Sequence, residues 1–213
     1  MERAGKHVSF GSLIEAFHKF CAGLNESRQN GKVRYSIADA ILSGFACMFF
    51  QDRSLLQFQR RMEDKEQLSN LQTLFKVNKI PEDTQLRDIL DSIPSESFRP
   101  LFKEYFSRLQ RGKHLERFRI FDNKYLLSID GTQYFTSKQV SCPHCLSKEH
   151  KNGESTFHHQ ALQGAIVHPD CRQVIPLIAE DIRNEDGSKN KIVKLTLPNV
   201  LFQPCVKTIP NLI

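Results

Sequence analysis

Residues 125–135 read YLLSIDGTQYF, and this stretch decides the second half of the chain. Tyr125, Leu126, Leu127 and Ile129 form a short apolar run that suits a strand, and the run ends in Asp130-Gly131. A carboxylate at a strand end sits on a rigid element and can offer oxygen ligands to a divalent ion such as the Mg²⁺ of phosphoryl-transfer sites. Asp-Gly is also a common strand-terminating turn, because Asp bonds its own backbone and Gly accepts a positive φ. Downstream, residues 160–167 predict a second strand, and His168-Pro169-Asp170-Cys171 a tight turn with Pro placed for type I. Residues 173–179 predict a third strand. Closely spaced strands joined by a tight turn predict an antiparallel meander, which needs more chain to complete a domain.

Upstream of this stretch the hydrophobic period changes. Ile37, Ala40, Ile41, Gly44, Phe45, Met48 and Phe49 keep helical spacing behind Ser36 and Asp39, which are spaced as a capping box. Ser54 opens a second helix through Leu55, Leu56, Phe58 and Met62. Pro81, Asp83 and Thr84 punctuate the chain before a short helix with Leu86, Ile89 and Leu90. After Ser95, an apolar stripe of Phe98, Leu101, Phe102, Tyr105, Phe106 and Leu109 marks one face of a further helix, with Gly112 as its stop. The polar face and exit of that helix carry Arg99, Lys103, Arg108, Arg111, Lys113 and Arg117, either as a solvated basic face or as a phosphate-contacting surface. The fold class is therefore α+β, with a helical region over 1–115 followed by a strand-rich region over 116–191.

The formal net charge of +6 suits a polyanionic partner, DNA or RNA. Phe is abundant at 16 residues and Trp is missing, so the core is built on Phe, Leu and Ile. The first ten residues lack the apolar core of a signal peptide. The longest apolar run, 37–50, is broken by Asp39, Ser43 and Gly44 and falls short of the ~20 residues of a membrane span. These features predict no membrane partner and a reducing cytoplasm, where the six cysteines serve as thiols or metal ligands. Cys21 and Cys47 lie in apolar helical settings and read as core thiols. No Gly-rich phosphate loop and no Ser-nucleophile elbow is present.

Residues 141–159 form a polar loop between the first two strands, and it holds Cys142-x-x-Cys145, His150 and His159. Two thiolates and two imidazoles satisfy a tetrahedral, structural Zn²⁺. His144, His158, His168 and Cys171 are nearby alternatives, and a polar loop with free thiols is the competing reading. A redox motif is the weakest of the three, because no thioredoxin-like strand-helix pattern surrounds the cysteines.

Taken in order, the 125–135 run, Cys142-Pro-His-Cys145, His150, His159-Gln160, Val167-His-Pro-Asp170 and Val174-Ile-Pro-Leu177 resemble one group. These residues look like the DDE transposases of bacterial insertion sequences. The helical region is similar too, through Asp39-Ala40, Ser54-Leu55-Leu56-Gln57-Phe58, Asp83-Thr84-Gln85-Leu86-Arg87 and Leu109-Gln-Arg-Gly-Lys113. The resemblance implies an RNase H-like catalytic domain from residue 116, with Asp130 matching the first catalytic Asp. It also implies Mg²⁺ as cofactor, transposon-end DNA as partner and a DNA-binding role for 1–115. Such enzymes hold two metal ions about 4 Å apart with two Asp and one Glu; one ion activates the attacking water or 3′-hydroxyl, and the other stabilises the leaving oxygen.

Residues 192–213 (IVKLTLPNVLFQPCVKTIPNLI) break the pattern, with three prolines and no helix period. The enzymes it resembles continue here with a segment like Asp-Cys-Glu-x-x-Ala-Ala-Lys-Arg. Codons allowed for 192–213, read one nucleotide upstream, can give DCEINAAKRFVSALRKDHPQFD. The expectation is an out-of-frame tail, from a fixed or a programmed frameshift, and an incomplete, truncated RNase H-like domain without the second Asp and the Glu. Its three-stranded meander would leave an apolar face and a sheet edge uncovered. A non-catalytic zinc-containing DNA-binding module, or an inhibitor of an intact transposase, is the competing reading.

Overall fold

A computed structural model describes residues 7–26, 28, 31, 33–120 and 123–182; residues 183–191 and the 192–213 tail, with Cys205, lie outside them. The chain divides into two compact units, Met1–Lys124 and Tyr125–Ile213, whereas the change of hydrophobic period puts the boundary at 115/116. Among the described residues the architecture is mixed α+β, with six α-helices ahead of an antiparallel sheet. No helix among them is long and apolar enough to cross a membrane.

The helices are α1 (Phe10–Ala22), α2 (Ile37–Phe49), α3 (Leu55–Arg61), α4 (Lys65–Phe75), α5 (Asp83–Asp91) and α6 (Arg99–Arg111). Four begin on side-chain caps that satisfy orphan backbone donors. Ser9 accepts from the Ser12 N–H, Ser36 from Asp39, Ser54 from Gln57, and Asp64 from Glu66 and Gln67. Sequence periodicity does not mark α1 or α4, although Ser9 and Asp64 are available signals. The expected capping box at Ser36 is half formed. The Asp39 carboxylate is buried and turns away from its own helix to accept the Asn78 N–H at 2.7 Å, tying α2 to the chain beyond α4.

The core of this unit is aromatic and aliphatic, as composition predicts. Phe58, Phe75, Leu42 and Leu71 are fully buried, and the Phe75 ring packs against those of Phe10, Phe45, Phe49 and Phe50 at centroid distances of 5.4–6.0 Å, the range of favourable tilted and edge-to-face pairs. Gly44 sits under α5: a Cβ there would lie 2.9 Å from the Leu90 Cδ1, so the Leu90 side chain would have to shift. Gly112 does not supply the left-handed stop expected of it. It stays right-handed, and Lys113 adopts φ 59° instead.

The strands are β1 (Arg119–Ile120), β2 (Lys124–Ser137), β3 (Leu146–Glu149), β4 (Ser155–Val167), β5 (Ile175–Pro176) and β6 (Glu180–Ile182). In the second unit β4 is central, with β2 along one edge and β3, β6 and β5 in turn along the other, all antiparallel. Two expectations need correcting. Asp130-Gly131 does not end the first strand, because the β2–β4 ladder continues through both residues. The third strand is broken into β5 and β6. Pro176 cannot donate to a ladder, and the gap is bridged by the Leu177 N–H on the Gly164 carbonyl and the Gln163 amide on the Leu177 carbonyl. The expected His168–Cys171 turn forms, closed by the Cys171 N–H on the His168 carbonyl. Among the described hydrophobic residues of this unit, Ile166 and Leu177 are buried, while Leu126, Ile129, Tyr134, Val140 and Val174 are exposed.

Two buried protons make the helical unit sensitive to alkali. Burial pushes the Cys21 thiol from the ordinary 9.0 up to about 12. Burial also pushes the Tyr105 hydroxyl, which donates to the Leu13 carbonyl at 2.8 Å, from 10.0 to about 12. Both folded values lie above the unfolded ones, so this stability is complete below about pH 9 and is lost as pH rises through 9 to 12. Chemical denaturation followed by helical circular dichroism should show unfolding free energy falling across that window. A Cys21→Ala, Tyr105→Phe double variant should be weaker at neutral pH by about 1–3 kcal/mol and show a flatter alkaline decline.

Candidate metal centre

His159 lies within β4, not in a loop, so its imidazole stands on the surface of the sheet. Alternation along the strand sends His158 to the opposite face. Opposite His159, β2 carries an extra residue: Gln133 pairs with Gln160 and Phe135 with His159, so Tyr134 is left as a bulge. The bulge lets both aromatic neighbours reach the imidazole. The Tyr134 ring stacks on it at 5.9 Å and 18°, and the Phe135 ring tilts against it at 5.6 Å.

Residues 142–145 turn back over this histidine. The Cys145 N–H bonds the Cys142 carbonyl at 3.1 Å, closing the turn, and the Cys142 N–H points at Cys145 Sγ at 3.2 Å. Both Sγ atoms come to 3.3 Å from His159 Nε2, and the sulfurs are 3.6 Å apart. Among the described residues this is the group of His, Cys, Asp or Glu side chains whose ligand atoms converge closely enough to share an ion. Two sulfurs and an imidazole nitrogen suit a soft or borderline metal ion.

His150, expected as a further ligand, is placed elsewhere. The segment expected as one loop over 141–159 contains the β3–β4 hairpin, with Leu146 opposite His158 at its base and Glu149 opposite Ser155 at its tip. His150 follows Glu149 at the tip, where Gly153 takes φ 80° to close the turn and His150 Nε2 lies 3.0 Å from Thr156 Oγ1. Four strand residues at about 3.3 Å each separate the base from the tip. Near that tip, the Lys138 ammonium holds the Glu154 carboxyl below the usual carboxylate range across a 2.7 Å contact, which engages a nearby carboxylate. In the sequence Tyr134 and Phe135 follow the expected strand end at Asp130-Gly131; their contact with His159 depends on the longer strand and its bulge, which alternation does not reveal.

Asp130 stands in mid-strand opposite Gln163, exposed, with one carboxylate oxygen accepting the Gly131 N–H at 2.8 Å. Among the described residues it belongs to no group of three metal-ligating side chains. The arrangement around it does not fit a two-metal Mg²⁺ site, which needs several converging carboxylates.

The six basic residues expected to contact phosphate, at α6 and its exit, do not form one narrow stripe. At 100° per residue, Arg99, Lys103, Arg111 and Arg108 spread across roughly 180° of α6. Arg108, next to the apolar stripe, is drawn into structure: its guanidinium bonds Glu104 at 2.8 Å, the Ser12 hydroxyl at 3.1 Å and the Ser12 carbonyl at 3.3 Å. Arg111 lies 3.6 Å from the same Glu104 and donates to the Ser107 carbonyl. Arg99 is half-buried, Lys103 and Lys113 are exposed, and Arg117 is exposed with its guanidinium 5.1 Å from the Phe118 ring centroid.

Comparison with protein-family models, with curated proteins and with solved structures gives no match.

Cobalt(II) titration followed by its absorption bands reads the centre directly. His159→Ala should weaken binding by more than the roughly 10–100-fold that loss of an outer-shell partner costs, and His150→Ala should leave it within about threefold of wild type, since that side chain contacts Thr156. Equal losses in both variants would place His150 in the ligand set.

Proposed function

We propose that this chain is a transposase-derived DNA-binding protein related to the DDE transposases of insertion sequences, its second unit being the opening of an RNase H-like sheet. The observation that carries this reading is the place of Asp130. It lies in the middle of the first long strand, exposed, in a sheet whose second long strand is central and flanked on both sides, all antiparallel. That is the layout expected for the first three strands and first catalytic carboxylate of such a domain. Transposon-end DNA is the proposed partner, and the positive charge of the chain supplies a sequence-independent part of the attraction. An intact transposase bound at the same ends is the second proposed partner.

In the related enzymes the chemistry is Mg²⁺-dependent cleavage and strand transfer. Asp130 belongs to no group of three metal-ligating side chains among the described residues, so the proposed role here is binding and positioning, not phosphodiester cleavage. The Cys142, Cys145 and His159 set favours a zinc-containing, non-catalytic form of this reading. Zinc–sulfur bonds of about 2.3 Å and a zinc–nitrogen bond of about 2.05 Å at tetrahedral angles require S···S near 3.8 Å and S···N near 3.6 Å. The observed 3.6 Å and 3.3 Å lie within a few tenths of these lengths. The ion would pin the 142–145 turn to β4 and hold the His159 ring between its aromatic neighbours.

Gel-shift titration of the full chain on duplexes bearing the terminal inverted repeats should show salt-sensitive binding without nicking in Mg²⁺ or Mn²⁺. Replacing Lys103, Arg111 and Lys113 together by Gln should lower the slope of log K against log salt by about 0.9 for every phosphate that these side chains neutralise in the wild-type complex. Nicking by the purified chain would overturn the non-catalytic assignment, and no binding to any duplex at low salt would overturn the DNA-binding reading.

A further inference from the structure

We propose that Cys142 and Cys145 form an oxidation site that gates the metal centre: a hydroperoxide converts the pair to an intramolecular disulfide, and disulfide and metal exclude each other. The inference rests on the reading of Cys142, Cys145 and His159 as a metal centre, and adds a second chemical state to it.

The geometry favours reaction within the pair. The two sulfurs are already at 3.6 Å, and a disulfide needs them at about 2.05 Å, a closure within reach of side-chain rotation in a four-residue turn. Cys142 is exposed and Cys145 half-buried, so an oxidant meets Cys142 first. The turn is held by its own backbone hydrogen bond between the Cys145 N–H and the Cys142 carbonyl, which keeps the second thiol beside the first. His159 Nε2 lies 3.3 Å from both sulfurs, so the imidazole and the turn hold the two side chains at one place. The other described thiols contrast with this pair in their surroundings. Cys21 and Cys47 are buried in the helical unit, and Cys171 lies in the separate 168–171 turn.

The steps balance. The Cys142 thiolate attacks the peroxide oxygen, the O–O bond breaks, and the products are a sulfenic acid on Cys142 and an alcohol, or water when the oxidant is hydrogen peroxide. The Cys145 thiolate then attacks the Cys142 sulfur, the S–O bond breaks, and hydroxide leaves with a proton as water. Two thiols lose two electrons and two protons, and the hydroperoxide takes them up. Both ligand sulfurs lose their negative charge, so His159 alone faces the ion and the ion leaves. A bound ion holds both sulfur lone pairs and opposes the first attack. A thiol reductant reverses the change by exchange at the disulfide.

The test uses the full chain in two forms, chelator-treated and zinc-loaded. Each is exposed to hydrogen peroxide, then alkylated under denaturing conditions and mapped by peptide mass spectrometry, while a chromophoric chelator follows zinc release. The chelator-treated form is expected to give a peptide carrying a Cys142–Cys145 disulfide, lighter by two hydrogens and restored by dithiothreitol, with Cys21 and Cys47 still alkylated. The zinc-loaded form is expected to react at least tenfold more slowly, with zinc release matching disulfide formed. In Cys145→Ser, Cys142 should stop at the sulfenic acid and be trapped by dimedone. Intermolecular disulfides or sulfonic acids in place of the internal bridge would overturn the proposal, as would equal oxidation of Cys21 and Cys142. Failure to bind zinc together with clean formation of the bridge would overturn the metal reading and the gating, leaving the oxidation site standing.

Discussion

The ladder between β2 and β4 runs from Leu126 opposite Val167 to Ser137 opposite Phe157 and slips once, at Tyr134. The candidate chemistry of the second unit depends on that pairing. It carries Asp130 through the middle of a strand, places His159 on the sheet surface, and sets two aromatic rings beside the imidazole. The turn at Cys142–Cys145 then needs only its own backbone bond to bring two sulfurs over a histidine whose position the sheet has already set. A metal ligand on a strand is held by the ladder on both sides, which is firmer support than a loop offers.

The helical unit is organised by a different constraint, the burial of polar groups that must be satisfied. Asp39 gives up the expected return bond to its own cap and commits its carboxylate to the Asn78 N–H. A buried acceptor costs more unpaired than a solvated helix terminus does. Arg108 follows the same logic. Its charge looks like surface from the sequence, yet it lies at the margin of the apolar stripe of α6, where α1 offers the Ser12 hydroxyl and carbonyl. What reads as a cluster of basic residues is partly scaffold, and the exposed cations that remain are spread around the helix and its exit.

The two candidate centres of the second unit differ in how many ligands converge. Cys142, Cys145 and His159 meet within bonding range of one ion. Asp130 meets its own backbone and the facing Gln163. A cation is held by several donors acting together, since a single carboxylate recovers little of the hydration the ion gives up. Among the described residues the candidate ligand set is therefore one of sulfur and nitrogen donors, not of carboxylates.

Local pattern determined a good deal. The caps at Ser36 and Ser54, the apolar stripe of α6, the strand character around Tyr125 and Ile129, the His168–Cys171 turn and the pairing of Cys142 with Cys145 are all set by residues within about one turn or one hairpin of each other. Helices α1 and α4 are equally local, but their cues are a single cap each. Tertiary structure alone decided which histidine joins the cysteines. His150 is nearer in sequence, but the β3–β4 hairpin carries it to the tip while the β2–β4 register returns His159 to the base. It also decided that Asp130-Gly131 runs straight on within a strand, because a partner strand lies opposite to take up the backbone groups that a turn would otherwise satisfy for itself. Spacing along a chain measures neither of these, since both depend on which strand pairs with which and in what register.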